Sequence, residues 1–191
     1  MENFPIDLSG ATLVSDRLIL RPFQQTDLDD FYEYAKVPGV GEAAGWNHHL
    51  NIQESQVILN LFINEKKTFA IVKKDTGKVI GSLGLEKCGF PETYYPRLTV
   101  REIGYVLSKD YWGNGFMSEA VDRVIGYCFN ELGIDALAVC HFKGNERSRR
   151  VIEKAGFSYL FTNTYITRNN QFIKENLCYL LLNSSKLKRN Q

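Results

Sequence analysis

Two glycines one residue apart, Gly113 and Gly115, stand in the run YWGNGFMSEA between a strand-like segment ending at Leu107 and a long amphipathic helix. At the mouth of a helix the first backbone N–H groups have no intrahelical partner, and glycines leave them uncovered. With the positive end of the helix dipole beside them, these donors form a ready site for a phosphate group. The chain must therefore supply a strand, a tight turn and a helix around this point, which predicts a mixed α/β architecture.

The remaining composition narrows the class. A chain of 191 residues with 44% hydrophobic and 24% charged residues suits one domain over 1–191, with a core at about 16–183 and a basic polar tail at 184–191. A net charge of +1 does not suggest a general nucleic-acid binder. No apolar run approaches a membrane span, and the opening MENFPIDLSG lacks the basic and apolar regions of a signal peptide. Cys88, Cys128, Cys140 and Cys178 are widely spaced, with neither a C-x-x-C pair nor nearby paired histidines. Reduced thiols in a cytoplasmic protein without a metal are expected.

Periodicity places the elements. Arg17–Phe23 alternates as a half-buried strand, and Thr26 with Asp27 opens a helix carrying Leu28, Phe31, Tyr32 and Ala35 on one face. Pro38-Gly39 stops it, Val40–Asn51 reads as loop, and a second helix is expected over about Ile52–Asn64. Thr68–Lys73 and Lys78–Leu85 flank the tight turn DTGK as a hairpin, Cys88–Pro96 is loop, and Thr99–Leu107 is a central strand. After the glycine turn, Met117, Ala120, Val121, Val124, Ile125, Cys128 and Leu132 define a sheet-packing helical face ended by Gly133. Ala136–Phe142 is a buried strand, Asn145 caps a short helix ending at Gly156, and strands follow near Phe157–Thr162 and Asn176–Leu182. The tail SSKLKRNQ is expected to be disordered.

Three phosphate-bearing ligands compete for the glycine turn. No G-x-x-x-x-G-K-[ST] string occurs, so a P-loop is excluded. A dinucleotide fingerprint needs a third small residue and an acid closing the next strand; Asp135 has the right separation but precedes the strand. The third ligand is coenzyme A. EIGYVLSKDYWGNGFMSEA, Glu102 to Ala120, resembles the acetyl-CoA-binding motif of the GNAT acyltransferase superfamily, and NERSRRVIEKAGF, Asn145 to Phe157, resembles its second motif. Both are similar to the branch that acetylates ribosomal-protein N-termini, as is the opening RLILRPFQQTDLDDF, so the resemblance covers nearly the whole chain. Trp112 and Met117 depart from the general Q/R-x-x-G-x-G/A pattern but are common in this branch.

The resemblance implies a single-domain fold with a central mixed, mostly antiparallel sheet, flanked by helices and splayed between the strands near Val106 and Val139 to admit acetyl-CoA. It implies that the pyrophosphate lies on amides of Gly113, Asn114, Gly115, Phe116, Met117 and Ser118. The pantetheine arm would lie beside Tyr105, Val106 and Leu107, and Asn145 would contact it. Contact of Arg149 or Arg150 with the 3′-phosphate is the alternative to a solvated basic face.

Acyl transfer to an amine needs a proton acceptor and help for the departing thiolate. Glu102 is the leading base, against a solvent-facing strand charge; His141, His48 and His49 are further candidates. Ser148 shares a helix face with Val151 and Ala155, so its hydroxyl either assists the thiolate or bonds within its own helix turn. No nucleophile–base triad is visible, which suits direct attack without an acyl-enzyme. The expected function is acetyl transfer from acetyl-CoA to a primary amine. The acceptor is a protein N-terminus or a small molecule such as an aminoglycoside, polyamine or amino acid. The non-enzyme alternative is a catalytically silent CoA-binding module. A monomer and a homodimer both remain open.

Overall fold

The computed structural model describes residues 5–166 and 173–187. Its alternating and apolar runs pair into an eight-stranded sheet of order β1-β2-β3-β4-β5-β6-β8-β7. The strands are β1 (Leu13–Val14), β2 (Leu18–Pro22), β3 (Thr68–Lys73), β4 (Val79–Lys87), β5 (Val100–Leu107), β6 (Ala136–Phe142), β7 (Ser158–Ile166) and β8 (Ile173–Leu182). Every neighbouring pair is antiparallel except β5 and β6, which run parallel. The mixed, mostly antiparallel sheet is the architecture expected.

Helices cover both faces: α1 (Leu28–Ala35), α2 (Ile52–Glu65), α3 (Phe116–Asn130), α4 (Glu146–Lys154) and a terminal turn α5 (Ser184–Leu187). Strand β3 shows why the sheet is a middle layer. Phe69 and Ile71 pack into the cluster under α3, whereas Ala70 and Val72 join the cluster with Phe31, Tyr34 and Leu59 from α1 and α2. A strand buried on both sides reads as an unbroken apolar run, as TFAIV does. The α3 stripe of Met117, Ala120, Val121, Val124 and Cys128 is buried against Ile103, Leu137 and Val139. Beyond the helix, Gly133 adopts φ +64°, the left-handed conformation glycine favours.

Several boundaries depart from expectation. Strands β7 and β8 run further than Phe157–Thr162 and Asn176–Leu182, because Asn163↔Asn176 and Thr164↔Glu175 continue the ladder through polar residues. The apolar pattern ends there, but the backbone pairing does not. The start of the tail is ordered: Lys186 pairs with Asp135 at 2.6 Å, and the buried Asn183 donates to the Ile134 carbonyl at 3.1 Å. Residues 188–191 lie outside the described part. Near the first helix, Asp27 accepts the Gln24 N–H at 2.8 Å and forms a two-point pair with Arg21, both contacts at 2.8 Å. Among the described residues, no helix is long and apolar enough to cross a membrane.

One glycine in the sheet is set by close backbone approach. A Cβ on Gly81 would lie 2.4 Å from the Val106 carbonyl oxygen on β5. Gly81→Ala is therefore expected to destabilise the fold by about 1–3 kcal/mol through overpacking against backbone. Denaturant unfolding checks this; an unchanged midpoint would show that β5 shifts freely there.

Candidate active site

The parallel ladder between β5 and β6 runs only from Val100↔Ala136 to Ile103↔Val139. Beyond it, Gly104–Leu107 remains paired with β4, while Cys140–Phe142 remains paired with β8. The two strands diverge, opening a cleft of about 570 Å³ lined by Tyr105–Leu107, the glycine turn and α4. The divergence falls where the splay near Val106 and Val139 was expected. Its physical consequence is a strip of β5 backbone facing a gap instead of a neighbouring strand, suited to hydrogen bonding with an extended arm.

At one end of the cleft, Gly113 and Gly115 have φ +79° and +78°. A Cβ on Gly113 meets nothing within 4 Å, and one on Gly115 meets only Arg17 Nη2 at 3.6 Å. The glycines are thus required by backbone conformation and by access from outside, not by crowding within the protein. No side chain caps the N-terminus of α3, so the first-turn amides of Phe116, Met117 and Ser118 are left for an anion. These three residues line the cleft together with Gly113 and Gly115. Asn114 does not; its side chain donates to the Trp112 carbonyl at 3.2 Å.

Helix α4 forms the opposite lip. The Asn145 side chain accepts the Ser148 N–H at 3.2 Å, the expected cap, worth about 1 kcal/mol. Its amide nitrogen also lies 3.4 Å from the Ala43 carbonyl, tying the cap to the loop at 40–51. The Ser148 hydroxyl does not stay within its own helix turn: it lies 2.8 Å from the Tyr105 hydroxyl across the cleft. Burial pushes the Tyr105 phenol up to about 12, outweighing the opposite effect of the Ser148 hydrogen bond. Tyr105 was expected to contribute main chain; its hydroxyl is the part missed, because sequence spacing does not relate β5 to α4.

Glu102 lines the cleft from inside the parallel ladder, paired with Ala138 of β6 and Glu86 of β4, and the residue is half-buried. Burial of the carboxyl raises its pKa, against the pull of hydrogen bonds from the Gly89 N–H at 3.2 Å and the Cys140 thiol; nearby Glu86 reinforces the rise. Among the histidines, only His141 lines the cleft, where its ring contacts the Tyr179 hydroxyl at 3.1 Å. His48 instead pairs with Glu42 at 2.7 Å, and His49 is buried edge-on against Phe31 with its Nδ1 2.7 Å from the Ser55 hydroxyl. Arg150 lines the cleft; Arg149 faces Glu146 and Glu153 on its own helix.

The cleft is electrostatically polarised. Arg147, Arg150 and Lys154 stand along α4, whereas Glu86 and Glu102 occupy directly opposed positions on β4 and β5. The Arg147 guanidinium also stacks over the Trp112 ring at 3.8 Å, bridging α4 to the glycine turn. Such a gradient fits an anionic ligand at one end and an amine at the other. Among the described residues, no group of three or more His, Cys, Asp or Glu is placed to hold a metal.

The sequence profile of the acetyltransferase (GNAT) domain matches residues 17–158, most of the chain. The chain belongs to the GNAT acetyltransferase family. It is thus an acetyl-CoA-dependent acyltransferase, and the open amides and splayed strands fit that cosubstrate. The GNAT chain is 29% identical over 150 residues to the uncharacterized N-acetyltransferase YoaA of Bacillus subtilis (strain 168), covering 76% of this chain and 81% of that one. Its fold resembles the ribosomal-protein-S5-alanine acetyltransferase of Vibrio fischeri, with a TM-score of 0.69, 18% identity and coverage of 91% and 97% of the two chains. It also resembles the spermidine N-acetyltransferase of Vibrio cholerae in complex with CoA and spermine, with a TM-score of 0.70, 17% identity and coverage of 91% and 99%. Two neighbours of near-equal similarity thus carry different acceptors in their names.

Proposed function

We propose that this GNAT protein, acting as one domain with its core over 16–183, acetylates the α-amine of a protein N-terminus. Glu102 serves as base, and the Tyr105–Ser148 pair assists the thiolate. The observation that carries the assignment is the convergence of these groups on a single cleft, Glu102 from β5 and the hydroxyl pair at 2.8 Å beside α4. Pyrophosphate binding is assigned to Gly113, Gly115, Phe116, Met117 and Ser118, with Asn114 contributing only through its place in the turn. The β5 edge at Tyr105, Val106 and Leu107 takes the pantetheine arm, and Asn145 holds α4 against it.

Proton chemistry supports this acceptor class. A free α-amine has a pKa near 8, so a substantial fraction is neutral near neutral pH; a lysine amine, near 10.4, must give up a far more firmly held proton. A single carboxylate of raised pKa suits the α-amine. The opposed Glu86 and Glu102 favour a second reading, a small cationic amine held by both carboxylates. Thiol release from acetyl-CoA with short peptides, polyamines, aminoglycosides and amino acids decides between them. Turnover confined to peptides supports the first, turnover with small amines the second, and binding without turnover would leave a silent CoA-binding module.

The cofactor assignment has its own check. Gly115→Val places a β-branched residue at φ +78° and projects its side chain toward the ligand's approach. Acetyl-CoA affinity is expected to fall at least about tenfold, or about 1.4 kcal/mol. Calorimetry on the folded variant measures this; unchanged affinity would remove the pyrophosphate site from α3.

A further inference from the structure

Glu119 stands in the first turn of α3, beside the amides assigned to the pyrophosphate. Burial pushes its carboxyl up, but hydrogen bonds from the Arg17 N–H, the Ser15 hydroxyl and the Arg17 guanidinium hold it below the usual range. An ionised carboxylate there favours the helix dipole but opposes an arriving anion. Arg17 meets this charge directly: its backbone N–H and its Nε reach the two Glu119 oxygens, each at 2.7 Å. The same guanidinium donates through Nη1 to the Asn114 carbonyl at 3.0 Å and lies 4.3 Å above the Phe116 ring.

The backbone of Arg17 is anchored independently. The Lys74 N–H donates to the Arg17 carbonyl at 3.0 Å, and the Ser15 N–H closes a turn onto the Leu18 carbonyl at 3.0 Å. A residue so fixed can hold the Asn114 peptide in one orientation, with its carbonyl drawn toward Arg17. The helix itself offers no side-chain cap for this task. We propose that Arg17 is a positioning residue for the cosubstrate: it locks the Gly113–Gly115 turn through the Asn114 carbonyl and cancels the Glu119 charge. The helix N-terminus then remains open and net positive toward pyrophosphate. This inference rests on the assignment of the α3 N-terminus as the pyrophosphate site.

Calorimetry on the full chain with CoA, and with pantetheine as a ligand lacking the pyrophosphate, separates the roles. Arg17→Ala is expected to weaken CoA about tenfold, the scale of one lost charge-assisted hydrogen bond, while pantetheine binding is unchanged. KM for acetyl-CoA should rise with kcat at saturation preserved. Adding Glu119→Gln to Arg17→Ala should recover part of the CoA affinity, because the uncompensated carboxylate is gone. Arg17→Lys, which keeps the charge, should fall between wild type and alanine and serves if the alanine variant folds poorly. CoA bound as tightly by folded Arg17→Ala as by wild type overturns the inference, as does an equal loss for CoA and pantetheine. If Gly115→Val weakens CoA and Arg17→Ala does not, only the role of Arg17 fails. If neither does, the pyrophosphate assignment fails with it.

Discussion

Glu102→Gln is expected to lower kcat by about 10²–10⁴-fold, the usual contribution of a positioned proton acceptor. Acetyl-CoA affinity should change little, since the donors assigned to the cosubstrate lie in α3 and β5. The pH profile gives the sharper reading. Burial holds the Glu102 carboxyl above its ordinary range, so the base is present at high pH and lost as pH falls through that raised value. The acidic limb of kcat/KM should therefore lie above that of an ordinary carboxylate near 4.3 and disappear in the glutamine variant. Acceptors of different amine pKa must be compared, because amine ionisation produces a similar limb that moves with the acceptor. Full activity in Glu102→Gln would transfer the role to His141 or to water.

The second large effect concerns the opposite end of the reaction. Burial keeps the Tyr105 phenol protonated up to about 12. A phenol in that state can donate a hydrogen bond to a thiolate, whose conjugate acid is near 8.5 in a free cysteine. Complete proton transfer from such a phenol is uphill, so stabilisation of developing charge is the expected contribution. In the proposed role, Ser148, whose hydroxyl lies 2.8 Å away, would orient that donor or share the proton. Tyr105→Phe and Ser148→Ala should each reduce kcat by about 10²-fold, toward the lower end for such groups. Groups that act as a unit are not additive, so the double variant should lose little more than the worse single. Multiplied losses would show two independent roles, and full activity in both singles would leave the pair as a packing contact.

The readability of these features from sequence depended on their range. The glycine turn, the α3 stripe and the Asn145 cap are local patterns, and each stands where its spacing placed it. The motif put Glu102 on the strand beside the cleft that it lines. The Tyr105–Ser148 contact spans 43 residues and the Arg17–Glu119 pair 102; no local periodicity encodes either. The loop holding His48 and His49 gives Val40, Ala43 and Ala44 to the cleft, while Phe31 and Ser55 draw His49 into the core. In β7 and β8, apolar alternation underestimated the strands because a backbone ladder needs no hydrophobic side chains to continue.

The parallel ladder at Val100–Ile103 is a four-residue seam between two sets of strands. One set is β1 to β5; the other is β6, β8 and β7. An extended pantetheine arm seated along Gly104–Leu107 would act as a transient ninth strand, replacing the hydrogen bonds that the diverging backbone gives up. The cosubstrate is then a structural member as well as a reactant. Its departure after each turnover would remove one tie across the seam, leaving the α3 packing on Ile103, Leu137 and Val139 to hold the two sets of strands together.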